Sequence, residues 1–134
     1  MGKRYTVRAR TEFSAAHVLH GYPGACNRVH GHNFVVTVET VAHDLDAVGM
    51  AIDFTQLEAL AANIAQELDH RLLNDVPPFC EVNPTAENIA AFFWTRLHAA
   101  LASLPRGDRV RLTAVTVSET GRSSVTYSED EAGA

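Results

Sequence analysis

Three histidines in the first quarter of the chain have the side chains and the spacing that a metal site needs. His30 and His32 are two residues apart at the start of an alternating segment, and extended chain points such residues to the same side. Gly31 leaves room between the two imidazoles, and His17, at the end of an earlier segment, can supply a third nitrogen. Three protein ligands and one open position are typical of catalytic zinc, although imidazole also suits iron, copper or nickel.

The spacing alone leaves the identity of the other ligands open. His20 can take the place of His17 as the third ligand. Cys26 can complete a site of one cysteine and three histidines, and a closed tetrahedral site of that kind would be structural and not catalytic. A His-x-His pair in a loop is by itself a weak signal, because most such pairs are simply solvated.

Two further positions carry groups that could move protons or hold a ligand. Asp69 and His70 are adjacent, and a carboxylate beside an imidazole can orient it and favour its protonated form. A histidine that complements a helix C-terminus is the alternative. Glu119 shares the parity of Val115 and Val117, so its carboxylate can point inward and would then need a partner. A position on the rim of a hairpin fits Glu119 equally well.

The composition limits the class of protein that can hold these groups. The 134 residues suit one domain over 1–134, and 46% hydrophobic with 20% charged residues is typical of a globular domain. The formal net charge of −5 argues against a general nucleic-acid binder. No apolar run is long enough for a membrane helix or a signal peptide, so we expect a cytoplasmic protein with Cys26 and Cys80 as free thiols.

Alternating and helical hydrophobic patterns predict the elements that position the candidate residues. A long excursion over 14–32, rich in Gly, His and Asn, separates the first two strands. A break in apolar parity at Ala114–Val115 predicts a β-bulge. We predict four strands, over 5–13, 33–41, 110–119 and 124–128, and two helices, one that begins near Asp53 with Gln56 completing a capping box and stops before Pro77–Pro78, and one that begins around Thr85.

This order of elements predicts an α+β fold with antiparallel strand pairs and helices on one face. Cys80, Trp94 and the Phe92–Phe93 pair are predicted to lie in the core. A sheet of four strands has open edges, which proteins usually protect or pair, so we expect the chain to form an oligomer.

Six segments resemble the motifs of the 6-pyruvoyl-tetrahydropterin synthase and 6-carboxytetrahydropterin synthase family, in the family's order. Together they span nearly the whole chain and are highly specific, whereas each alone is not. The segments are Phe13–His17, Cys26–Asn33, Gly49–Phe54, Leu68–Asp75, Pro84–Asn88 and Val117–Thr120.

The resemblance implies roles for the histidines and the cysteine. The family's Zn²⁺ ligands fall on His17, His30 and His32, so His20 drops out. The family's catalytic cysteine falls on Cys26, which makes a closed structural site unexpected. A neighbouring zinc ion and imidazolium would favour the thiolate of Cys26, which could then remove a proton from the substrate.

The resemblance also implies a pterin substrate and the residues that would bind it. The acid–base pair falls on Asp69 and His70, and the pterin-anchoring carboxylate falls on Glu119, with further contacts from Thr85 and Glu87. A pterin presents its 2-amino group beside a ring N–H, and one carboxylate can accept both hydrogen bonds.

The fold that the resemblance implies is the tunnelling fold, of order ββααββ. In that fold the strands of several subunits assemble into a barrel with helices outside. The family forms hexamers with active sites at subunit interfaces, which agrees with the open edges expected above.

Within the family, the short spacing between Cys26 and the His-Gly-His pair resembles the 6-carboxytetrahydropterin synthases of queuosine (7-deazapurine) biosynthesis. Asn27 disfavours a subgroup in folate synthesis that carries Glu at or directly after the cysteine. The expected reaction converts 7,8-dihydroneopterin triphosphate to 6-carboxy-5,6,7,8-tetrahydropterin, acetaldehyde and triphosphate, with Arg28 as a candidate contact for the triphosphate. The alternatives are a synthase that stops at 6-pyruvoyltetrahydropterin and a zinc-bearing pterin-binding module without turnover.

Overall fold

One five-stranded sheet with two helices on one face makes up the fold. The computed structural model describes residues 2–24 and 27–130. The elements are β1 (Tyr5–His17), β2 (His30–Ala42), α1 (Phe54–Gln66), β3 (Arg71–Leu72), α2 (Ala86–Leu101), β4 (Val110–Thr120) and β5 (Ser123–Tyr127). The strands lie in the order β3-β1-β2-β4-β5, and the β1–β2, β2–β4 and β4–β5 pairs are antiparallel.

The core lies between the sheet and the two helices. Alternate residues of the long strands point to this side, as the period of two requires, and α1 packs mainly on β1 while α2 packs on β4 and β5. Trp94, Phe92 and Phe93 are buried in it, as predicted. Phe13, Phe34 and Phe93 stack near its centre, with centroids of Phe13 and Phe34 4.9 Å apart.

Both helices begin at the residues that the sequence indicates. The Asp53 side chain accepts the backbone N–H of Thr55 at 2.9 Å, and the Thr85 hydroxyl accepts that of Asn88 at 3.1 Å. Each bond satisfies an amide that the first turn of a helix leaves unpaired. No helix of the described residues is long and apolar enough to cross a membrane.

The first two strands run farther than predicted and shorten the excursion between them. β1 continues to His17 and β2 begins at His30, and these two residues face each other in the antiparallel register. A fifth strand, Arg71–Leu72, pairs in parallel with Ala15 and Ala16 of β1. Its two residues are too few to produce an alternating pattern, so the sequence predicted only four strands.

The predicted bulge in β4 exists but lies one residue earlier. Glu39 is opposite Ala114 and Thr40 is opposite Leu112, so Thr113 is the extra residue. The Thr113 hydroxyl donates to the Glu39 carboxylate at 2.8 Å. The extra residue restores the apolar parity, so that Leu112 before it and Val115 after it are both buried.

The prediction that Cys80 lies in the core is wrong. Cys80 is an exposed free thiol, whereas the preceding residue, Phe79, is only 2% exposed. Both belong to the turn after Pro77–Pro78, where the chain reverses and only one of two successive side chains can face the core.

A cluster of charged groups closes the end of the sheet where β2 ends and β4 begins. Arg106 donates to the Asp44 carboxylate at 2.7 Å, to the Asp44 carbonyl at 2.9 Å and to the Ala51 carbonyl at 2.9 Å. Arg109 donates to the other carboxylate oxygen of Asp44 at 3.0 Å. The bond from Arg106 lowers the pKa of Asp44 below its ordinary value of 3.8. We call these four residues the Asp44 cluster.

Candidate functional site

The end of β1 and the start of β2 bring the three predicted metal ligands together. His17, His30 and His32 lie on the helix-facing side of the sheet, and one ring nitrogen from each lies within 4.8 Å of the other two. His17 is fully buried, and the other two are half-buried. We call this group the histidine cluster. His20 is not a member of it, and its side chain is exposed.

Backbone carbonyls fix the tautomers of two of these rings. Nδ1 of His17 donates to the Pro84 carbonyl at 2.7 Å, and Nδ1 of His30 donates to the Arg28 carbonyl at 2.7 Å. A carbonyl can only accept, so both Nδ1 atoms carry hydrogen and the Nε2 atoms of the neutral rings present lone pairs. Burial lowers the pKa of His17 below its ordinary value of 6.5, which favours this neutral form.

The arrangement fits a metal ion better than it fits an internal hydrogen-bond network. Nε2 of His17 and Nε2 of His30 face each other at 2.9 Å, although both present lone pairs when the rings are neutral. Nε2 of His32 is buried and has no hydrogen-bond partner. Metal-bound histidines usually donate their second nitrogen to a carbonyl or carboxylate, as His17 and His30 do here. A cation would therefore satisfy three nitrogens at once.

Glu119 reaches this cluster because of a second bulge in β4. Ser118 is opposite Ser124 and Thr120 is opposite Ser123, so Glu119 is left out of the β4–β5 ladder. Its carboxylate oxygens lie 3.5 Å from Nε2 of His32 and 3.9 Å from Nε2 of His17. The carboxylate is 30% exposed, so it borders the cluster and still reaches solvent.

Three predicted substrate-binding residues line one cavity beside the histidine cluster. Thr85, Glu87 and Glu119 meet there, at the N-terminus of α2 and the β4–β5 turn, around a volume of about 230 Å³. The Thr85 hydroxyl accepts from the Asn88 backbone, so its own hydrogen stays free to donate into the cavity. The remaining lining residues are Leu19, Ala86, Ser123, Ser124 and Val125.

Asp69 and His70 form a hydrogen-bonded pair on the other side of β1. Nδ1 of His70 donates to Asp69 at 2.8 Å, and the other Asp69 oxygen accepts the backbone N–H of Ser14 at 2.8 Å. The Ser14 amide and then His70 lower the pKa of Asp69, so Asp69 is ionised at neutral pH. His70 is 81% exposed and has a left-handed φ of 58°, and it lines a cavity together with His32. The pair does not line the cavity of Thr85, Glu87 and Glu119.

Two predicted site residues are not placed with the others. Cys26 lies outside the described residues, so its position relative to the histidines stays a prediction. Arg28 is exposed, and its backbone carbonyl accepts the hydrogen bond from Nδ1 of His30.

The sequence alone did not identify the residues that hold the site in place by hydrogen bonds from backbone groups or from asparagine side chains. The Pro84 carbonyl and the Ser14 amide position His17 and Asp69, and such backbone groups leave no trace in residue type. Asn74 and Asn83 bind the backbones of Val18 and His20, respectively, through their side chains. Asn74 lies inside the segment Leu68–Asp75 that the resemblance covers, whereas Asn83 lies one residue before the segment Pro84–Asn88, and neither has a spacing that indicates its role.

Comparisons with known proteins assign the chain to a family. The family described as 6-pyruvoyl tetrahydropterin synthase matches residues 6–130. The human 6-pyruvoyl tetrahydrobiopterin synthase is 37% identical over 136 residues, covering 90% of this chain and 89% of the human protein. The 6-carboxy-5,6,7,8-tetrahydropterin synthase of Bacillus subtilis is 32% identical over 125 residues, and the match covers 90% of this chain and 82% of the Bacillus protein.

A solved structure extends the likeness to the fold. The Caenorhabditis elegans 6-pyruvoyl tetrahydropterin synthase superposes with a TM-score of 0.80 at 28% identity, covering 96% of this chain and 98% of the worm protein. The predicted α+β tunnelling fold is thereby confirmed. The sequence, the fold and the grouped histidines agree, and the chain belongs to the 6-pyruvoyl tetrahydropterin synthase family.

Proposed function

We propose that the chain is a zinc-dependent lyase that acts on 7,8-dihydroneopterin triphosphate. The products are 6-carboxy-5,6,7,8-tetrahydropterin, acetaldehyde and triphosphate, with one water taken up. The observation that carries the proposal is the position of Glu119, whose carboxylate borders both the histidine cluster and the cavity of Thr85 and Glu87.

The histidine cluster is the proposed zinc site. His17, His30 and His32 would hold the ion through three nitrogens, two of them with fixed tautomers. Bound there, zinc supplies a Lewis acid that polarises hydroxyl groups. The three histidines leave a coordination position free for a ligand.

The cavity beside the cluster is the proposed pterin site. The Glu119 carboxylate accepts the parallel 2-amino and ring N–H donors of the pterin, and Thr85 donates its free hydroxyl hydrogen to a ring acceptor. Glu87, in the first turn of α2, offers a second carboxylate at the same cavity.

Proton transfer is assigned to Cys26 and to the Asp69–His70 pair. Asp69 accepts the hydrogen bond from Nδ1–H of His70, so the proposed proton transfer uses Nε2 of that ring. Cys26 removes a proton from the side chain of the substrate as a thiolate. Arg28 is the proposed contact for the triphosphate, since it is exposed and lies two residues before His30.

The proposed assembly is a homo-hexamer in the cytoplasm. β3 pairs only with Ala15 and Ala16, so within the described residues it covers little of the outer edge of the 13-residue β1, and an uncovered strand edge can pair with another chain. Active sites at subunit interfaces would bring the Asp69–His70 pair of one chain to the histidine cluster of another.

A single incubation tests the proposed reaction. Zinc-loaded protein is mixed with 7,8-dihydroneopterin triphosphate, and the products are read by mass spectrometry. We expect a carboxylated pterin and acetaldehyde, and we expect neither from the Cys26→Ala variant with its zinc retained. A pterin that keeps its three-carbon side chain would make the protein a 6-pyruvoyltetrahydropterin synthase, which the 37% identity to the human enzyme favours. Binding of the substrate without its consumption would indicate a pterin-binding module without turnover, and would contradict the proposal that the protein is an enzyme.

A further inference from the structure

One wall of the proposed pterin cavity is an aliphatic side chain from the loop after β1. Leu19 is half-buried and lines the same cavity as Thr85, Glu87 and Glu119, which contribute polar groups to it. A loop is normally the most mobile part of a site, so a wall built from one needs support from elsewhere.

Asn74 supplies that support on one side of Leu19. Its Nδ2 donates to the Val18 carbonyl at 3.0 Å, and its Oδ1 accepts the Val18 backbone N–H at 2.9 Å. A single amide side chain thus pairs with both backbone groups of one residue, as a neighbouring β-strand would. Asn74 lies in the 3-10 turn four residues after His70.

Asn83 makes the same two bonds on the other side of Leu19. Its Nδ2 donates to the His20 carbonyl at 2.8 Å, and its Oδ1 accepts the His20 backbone N–H at 2.9 Å. The Asn83 carbonyl also accepts the Thr85 backbone N–H at 2.9 Å. Asn83 therefore links the loop that carries Leu19 to the helix end that carries Thr85.

The two asparagines together hold Leu19 between fixed neighbours. Four hydrogen bonds restrain the backbones of Val18 and His20, so the side chain between them keeps its direction without a bond of its own. A wall that is ordered before the ligand arrives costs less entropy on binding than one that must be ordered by it.

We propose that Leu19 is a specificity-determining residue that packs against the face of a flat heterocycle, and that Asn74 and Asn83 are its positioning residues. The polar groups of the cavity hold the edge of the ring, and Leu19 covers a face that has no hydrogen bonds to offer. The inference rests on the proposed function, because it concerns the same cavity.

The test measures the affinity for a pterin ring and the metal content separately. Neopterin, which lacks the phosphates, is titrated by its fluorescence into zinc-loaded wild-type protein and into the Leu19→Ala, Leu19→Met and Leu45→Ala variants. Leu19→Ala is expected to weaken neopterin binding about tenfold, because the ring loses its apolar contact, while zinc content is unchanged. Leu19→Met keeps an apolar side chain and should restore most of the affinity. Leu45→Ala is the matched control, since Leu45 is 38% exposed and lies away from the cavity.

A double-variant cycle tests the positioning role. Asn83→Ala removes the two bonds to His20 but keeps the Asn83 carbonyl that holds Thr85. If Asn83 acts through Leu19, the double variant Leu19→Ala/Asn83→Ala binds neopterin no more weakly than Leu19→Ala alone. Asn63→Ala, an exposed asparagine of α1, is the control for loss of an amide.

The outcomes separate this inference from the proposed function. Wild-type protein that binds no neopterin overturns both. Wild-type protein that binds neopterin while Leu19→Ala binds it equally well overturns only the role of Leu19. Additive losses in the double variant overturn the role of Asn83 and leave that of Leu19 standing.

Discussion

The two ends of strand β2 carry two polar clusters with opposite states of hydrogen bonding. In the Asp44 cluster each carboxylate oxygen has an arginine donor, and Arg106 alone makes three bonds. In the histidine cluster Nε2 of His32 has no partner, and the Glu119 carboxylate lies 3.5 Å away without a hydrogen bond. Both clusters close the same sheet, yet only one of them is complete.

This difference indicates different roles: the Asp44 cluster stabilises the fold, and the histidine cluster is suited to bind a ligand. A buried polar atom without a partner destabilises the fold by about 1–3 kcal/mol, so such an atom is expected where binding a ligand offsets the loss. Both carboxylate oxygens of Asp44 already have arginine donors, whereas the histidine cluster keeps a nitrogen without a partner and could hold a cation. Variants in each of the two clusters test this contrast.

The largest effect is expected for His17→Ala. Loss of a ligand should weaken zinc binding more than about a hundredfold, since even outer partners of a metal site are worth about 10–100-fold. The variant should also be destabilised in the absence of metal by about 2 kcal/mol, because it leaves a cavity and an unpaired Pro84 carbonyl. Competition with a chromogenic chelator and thermal unfolding measure the two. His20→Ala is the control, and zinc loss in that variant instead would reverse the assignment.

Arg106→Ala is expected to lower stability without touching the metal. Its guanidinium is 19% exposed and makes three bonds, so its loss should cost about 2 kcal/mol of the free energy of unfolding in urea. Zinc affinity should stay within about twofold of wild type, because the two clusters are at opposite ends of the sheet. A marked loss of zinc affinity in Arg106→Ala would show that the two clusters are coupled, and would contradict their assignment to separate roles.

Glu119→Gln should weaken pterin binding about tenfold and leave zinc bound. An amide cannot accept both donors of the pterin edge, since its nitrogen is itself a donor. Neopterin titration and elemental analysis of the same sample separate the two properties. Loss of zinc together with pterin would make Glu119 a metal ligand and not an anchor.

The smallest effect concerns acid stability at the Asp44 cluster. The pKa of Asp44 is lowered in the folded chain, so its ion pairs stabilise the fold above the ordinary value of 3.8 and are lost as the pH falls through the lowered value. Asp44→Asn should therefore show a shallower loss of stability below about pH 4 than wild type. Urea unfolding at several pH values measures the slope, with Asp108→Asn as an exposed control. Equal slopes would show that the carboxylate is not paired in solution.

Much of the fold follows from local patterns in the sequence. The helix starts at Asp53 and Thr85 come from caps that act within one turn, and four strands come from alternation. The two residues of β3 could not be predicted, because their pairing with Ala15 and Ala16 is a contact between distant parts of the chain. Cys80 was placed wrongly because its burial depends on how a turn faces the core and not on its apolar character.

The candidate site was predictable in its residue types but not in its geometry. The spacing of His30 and His32 fixes them on one side of a strand, whereas choosing His17 over His20 needed the resemblance or the register that sets His17 opposite His30. The parity of Glu119 suggested an inward carboxylate, but the bulge that turns it toward His32 depends on its pairing with β5. The two asparagines that hold Val18 and His20 act through backbone atoms and carry no pattern of their own.

The central claim is that three histidines hold one metal ion and leave a position open, and zinc stoichiometry tests it most directly. Elemental analysis of protein dialysed against zinc should give one ion per chain for wild type and for Cys26→Ala, and less than about a tenth of an ion for His30→Ala. Wild-type protein that retains no zinc, or His30→Ala that keeps a full ion, would contradict the account. Loss of zinc from Cys26→Ala would show that Cys26 is a fourth protein ligand. The wild-type site would then have no open position for a substrate, and the proposed chemistry would be contradicted.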